Sequence, residues 1–143
     1  MKLIIGLDGH GSGERALQFG QNLASAGADC ELLVVYVIEW SPFSFQTAEE
    51  NAQRHKRREE EIALAMERVV APAVDTLKKA GVNARGMVRH GNVADTLNAV
   101  ASDEKADQII VGRTSEGGIA SRLFGSVTAN LVMHADVPVT VVA

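Results

Sequence analysis

Cysteine occurs once in the 143 residues, at Cys30, so no intramolecular disulfide can form. Its apolar neighbours predict a buried thiol, which fits a reducing interior. Long apolar runs are missing as well: the longest, such as residues 32–38, fall far short of the roughly 20 residues a membrane helix needs. The first residues lead straight into a strand pattern rather than a charged region and a cleavable apolar stretch. The expected location is therefore the cytoplasm. An excess of positive charge is also lacking. With a formal net charge of −4 and no basic face, nucleic acid is not an expected main partner. No glycine-lysine pair precedes a serine or threonine in the first glycine-rich stretch, which excludes a P-loop. The four histidines, His10, His55, His90 and His134, are scattered without metal-ligand spacing, and no nucleophile-elbow pattern occurs.

What is present has the balance of an ordinary globule, 46% hydrophobic and 22% charged, at the length of one domain spanning residues 1–143. Five β-branched runs punctuate it, at residues 3–7, 32–38, 84–89, 108–111 and 137–142. Short apolar runs separated by helical patterns indicate parallel strands buried on both faces. The third run is the most polar and is expected at an edge. Ser12 can cap a first helix, with Gly27 as its stop signal. A second helical pattern covers about 47–80, where Ile62, Met66, Val69, Ala73 and Leu77 form one stripe. Pro72 should kink or split it near Arg68. A third helix is expected over 93–102, and a fourth from near Gly125-Ser126 to about His134. Strands alternating with helices in this way predict an α/β fold, a doubly wound parallel sheet with helices on both faces. The charged stretch at 53–61 reads as a solvated helix face, with Lys56–Glu60 and Arg57–Glu61 spaced for pairing.

In open parallel sheets ligands bind beyond the carboxyl ends of the strands, where strand order reverses. Two glycine-bearing stretches follow strands here: residues 6–13, and residues 112–118 continuing to Gly125-Ser126-Val127-Thr128. The second can be an anion cradle. Glycines allow close backbone approach, a helix start supplies free N–H groups, and Arg113 or Arg122 can offset phosphate charge. It can equally be a loop with an ordinary serine cap. A dinucleotide fingerprint begins at Gly9 and Gly11, but its third glycine falls at Glu14. Trp40, Phe43 and Phe45 read as packing for a flap that could roof a site.

The spacing of Gly112, two residues, Ser115, nine residues and Gly125-Ser126 resembles the nucleotide-binding pattern of the universal stress protein family. The opening residues 3–9, the second strand ending in Glu39, Gly91 after the third, and residues 134–139 are similar to that family too. The resemblance implies one open five-stranded sheet, mainly parallel, in the order 3-2-1-4-5, a Rossmann-like fold of the adenine nucleotide α-hydrolase kind. It also implies an adenine nucleotide, ATP or AMP with Mg²⁺ held by its phosphates, at Gly6, Leu7, Asp8, Val37, Val111, Gly112, Ser115, Gly125, Ser126, Val127 and Thr128. Asp8 would hold the ribose or adenine side, Val37 would contact adenine, and the residues from Val111 onward would contact ribose and phosphates. Ser115 departs from the pattern, which has glycine there. If that position needs a positive φ, serine costs on the order of 1 kcal/mol or more. The implied function is stress-response regulation by a homodimer paired through its C-terminal strand, with slow ATP hydrolysis at most. The alternative is a nucleotide-independent dimeric adaptor whose pocket Ser115 has disabled.

Overall fold

The structure is a computed structural model. It describes residues 1–7, 11–27, 29–39, 48–113 and 119–143, without the side chains of Ser12, Asn51 and residues 119–126. Five strands, β1 (Lys2–Leu7), β2 (Glu31–Glu39), β3 (Asn83–Gly91), β4 (Gln108–Gly112) and β5 (Val139–Val142), form one sheet in the order β3-β2-β1-β4-β5. Every pairing in it is parallel. The helices are α1 (Gly11–Ala26), α2 (Ala48–Ala65), α3 (Ala71–Lys79), α4 (Val93–Asp103) and α5 (Ile119–His134). Among the described residues no helix is long and apolar enough to cross a membrane.

Side chains alternate across a strand, so each strand feeds two cores. Leu3, Ile5, Leu32, Val34 and Ile110 face one way and pack with Ala16 of α1 and Val74 and Leu77 of α3. Ile4, Leu33, Val35, Ile109 and Val111 face the other way and pack with Leu97 and Val100 of α4 and Leu131 of α5. Burial on both faces explains why the central strands read as continuous apolar runs rather than alternating ones. β3 is an edge strand, as its polarity predicted, and it runs from Asn83 to Gly91. Gly86 on β3 has no room for a side chain, because a Cβ there would lie 2.2 Å from Val70 Cγ1.

The long second helix divides where Pro72 required. Residues 66–70 form a π-helical turn between α2 and α3, and the Ala71 N–H donates to Met66 O, five residues back. Proline has no N–H for the preceding turn, so the helix widens ahead of it. Two local expectations are corrected. α1 starts at Gly11, so Ser12 lies inside its first turn rather than capping it. Cys30 is half-buried, not buried; the partial burial still raises the pKa of its thiol above the ordinary value.

At the amino ends of the strands, charged groups tie distant segments together. Arg85 Nε donates to Glu31 at 2.6 Å, and its Nη2 pairs with Glu104. Glu104 also takes Lys2 Nζ at 3.3 Å, while the backbone N–H of Lys2 donates to Asp107 at 2.7 Å. This end of the sheet is fastened by side chains.

Candidate functional site

β1 sits between β2 and β4, and the chain therefore reverses its direction of travel across the sheet at the β1–β4 boundary. Gly6 lies beside Val111, so Leu7 and Gly112, the last residues of their strands, flank the crevice that such a reversal creates. Gly6 is glycine for a packing reason. A Cβ there would stand 3.0 Å from Leu97 Cδ1 and 3.1 Å from Val111 Cγ1. Val37 and Val111 are buried on this same face, above α4, whereas Leu7 is buried on the opposite face. Val127 and Thr128 are half-buried on α5. Asp8 and Ser115 lie outside the described residues, as does the aromatic stretch Trp40, Phe43 and Phe45.

Gly125 and Ser126 do not begin a helix. α5 starts at Ile119, six residues earlier, and places both inside it. The run Ile-Ala-Ser-Arg-Leu-Phe at 119–124 contains no proline or glycine to stop helix growth. An interior glycine costs only about 1 kcal/mol relative to alanine, too little to fix the boundary at Gly125. The N–H groups left without intrahelical acceptors belong to the first four residues of a helix, here 119–122.

Arg15, which sequence reasoning passed over, reaches from α1 to the end of β4. Its Nη2 donates at 2.8 Å to the carbonyl of Arg113, the residue after β4, while the Arg113 N–H donates to Val142 O at 2.6 Å. Among the described residues the buried Nε of Arg15 has no hydrogen-bond partner. No spacing motif marks this residue. Its only signal was a cation one helical turn past a glycine-rich strand end. His90, by contrast, faces α2. It shares the face of Val88, opposite Val37, and its Nε2 lies 3.6 Å from Glu61 of α2. Among the described residues, no three His, Cys, Asp or Glu side chains converge as metal ligands would. A groove of about 600 Å³ between α1 and α3 starts at Leu7 but runs down the face of the sheet, away from the crevice.

The model of the universal stress protein family matches residues 1–143. The chain belongs to the universal stress protein family. A universal stress protein of Methanocaldococcus jannaschii is 30% identical over 142 residues, covering 99% of this chain and 81% of that protein. The universal stress protein UspA of Lactobacillus plantarum shares the fold with a TM-score of 0.80 at 20% identity, over 100% of this chain and 97% of that one. A universal stress protein solved in complex with cAMP is 26% identical with a TM-score of 0.65, over 100% of this chain and 96% of that one. The strand order implied by the resemblance is therefore the order of this universal stress protein as well.

Proposed function

We propose that this universal stress protein binds an adenine nucleotide, ATP or AMP, in the crevice between the ends of β1 and β4 and acts as a stress-response regulator. The observation that carries the reading is the pairing of Gly6 with Val111, which sets Leu7 and Gly112 on the two sides of the reversal point. The cAMP-bound relative supports the ligand class. In this reading Val37 and Val111 form an apolar seat for the base, and Asp8 binds the ribose or adenine side. Gly112 and Ser115 begin the phosphate loop. The start of α5 at Ile119 changes the part played by Gly125–Thr128: their N–H groups lie within the helix, so the hydroxyls of Ser126 and Thr128 are their remaining donors. Mg²⁺ would be held chiefly by the phosphates. The active form is a homodimer joined through β5.

A second reading, a nucleotide-independent dimeric adaptor, is favoured by that same start of α5, because it removes the helix N-terminus from Gly125. Thermal unfolding with ATP and Mg²⁺ separates the two. A ligand at 100 times its Kd stabilises the native state by about 2.7 kcal/mol. For a chain of this length that raises Tm by roughly 6–10 °C. The shift should disappear in Gly125→Asp. No shift at millimolar ATP would leave the adaptor reading standing.

A further inference from the structure

We infer that Arg15 is a phosphate-binding residue of this crevice, linking α1 to the residue that follows β4 and offering an unpartnered Nε–H to an anionic oxygen; the inference rests on the nucleotide reading above. α1 begins at the carboxyl edge of the sheet, four residues after β1 ends. Long helical side chains lean back toward the helix N-terminus, so Arg15, in the second turn, reaches toward that edge. The bond from its Nη2 to Arg113 O bridges 98 positions of sequence and anchors the guanidinium at the residue that follows Gly112.

Two features call for an anion. Buried polar atoms almost always have hydrogen-bond partners, and an orphaned donor on a charged group is costly. Yet among the described residues Arg15 Nε has none, and no carboxylate there pairs with this guanidinium. An oxygen of a phosphoryl group satisfies both the donor and the charge, and the planar guanidinium fork suits it better than an ammonium would. The base is the wrong partner, because Arg113 directly follows Gly112, two strands away from Val37.

The test is calorimetric titration of adenosine, AMP and ATP into the wild-type protein, Arg15→Gln and Arg15→Lys, with the ligand-free Tm of each as a control on folding. Arg15→Gln should weaken ATP by about 10- to 100-fold, the range for losing a charged hydrogen bond, and AMP by less. Adenosine should change less than twofold. Arg15→Lys keeps the charge and should recover part of the ATP affinity. The inference is overturned if Arg15→Gln binds ATP as the wild type does. It is also overturned if all three ligands weaken by one common factor, since Arg15 would then merely prop the loop. Failure of the wild type to bind any of the three defeats the nucleotide reading itself.

Discussion

Replacing Gly6 by alanine tests whether the floor of the crevice is set by packing. The added methyl would stand 3.0 Å from Leu97 Cδ1, 3.1 Å from Val111 Cγ1 and 3.6 Å from Leu97 Cδ2, so two of its three nearest contacts are too close. Leu97 is 1% exposed and Val111 7%, so both belong to the packed core. Overpacking of this kind costs about 1–3 kcal/mol. Alanine returns roughly 0.5–1 kcal/mol because glycine loses more backbone freedom on folding. The net expectation for Gly6→Ala is a loss of up to about 2.5 kcal/mol. Leu97→Ala alone should cost about 3 kcal/mol, from lost burial and the cavity left behind. In the double variant the new methyl occupies part of that cavity and meets only Val111. The pair should therefore be less destabilised than the sum of the two singles by about 1 kcal/mol. Urea unfolding of the four proteins at unchanged m measures this directly. Additivity within about 0.5 kcal/mol, or a Gly6→Ala variant more stable than wild type, would refute the packing argument.

Glu104 gives a pH prediction. Hydrogen bonds from Arg85, and secondarily from Lys2, hold its carboxyl below the ordinary carboxylate value. A depressed folded pKa contributes stability that is complete above the unfolded value of about 4.3 and is lost as pH falls through the folded value. Thermal unfolding from pH 6 down to pH 3 should therefore show a steeper decline for wild type than for Glu104→Gln, and parallel curves would sink the assignment. The β5 edge gives another. Val141, 37% exposed on that strand, adjoins open backbone groups that a second copy can pair with. Light scattering should report twice the 15.2 kDa chain mass for wild type and a monomer for Val141→Lys, and a monomeric wild type would reject the dimer.

The strands were legible because burial on both faces leaves a plain apolar signature, and the sequence runs at 3–7, 32–38 and 108–111 fall inside β1, β2 and β4. The break in the second helix was legible for a chemical reason, the N–H that Pro72 lacks. The start of α5 was not. Gly125-Ser126 carries a strong local cap signal, and the only sign against it is the lack of a helix breaker in residues 119–124. The orientation of His90 was hidden for another reason. It follows from strand parity, and the polar third run did not reveal which of its residues face α2.

The same distinction separates the cations of the crevice. Sequence reasoning chose Arg113 and Arg122 because they stand near the glycines along the chain. Arg15 is 98 positions from Arg113 and carries no motif, yet folding β1 against β4 brings α1 over the end of β4 and makes the two residues neighbours. Adjacency in sequence finds loops, whereas the atoms that meet across a reversal point are fixed by strand order. A site at such a point draws on both loops at once, and each loop by itself shows only half of its charge. For this reason the unpartnered Nε of Arg15 adds to the glycine spacing a donor for an anionic oxygen that only the strand order brings to the crevice.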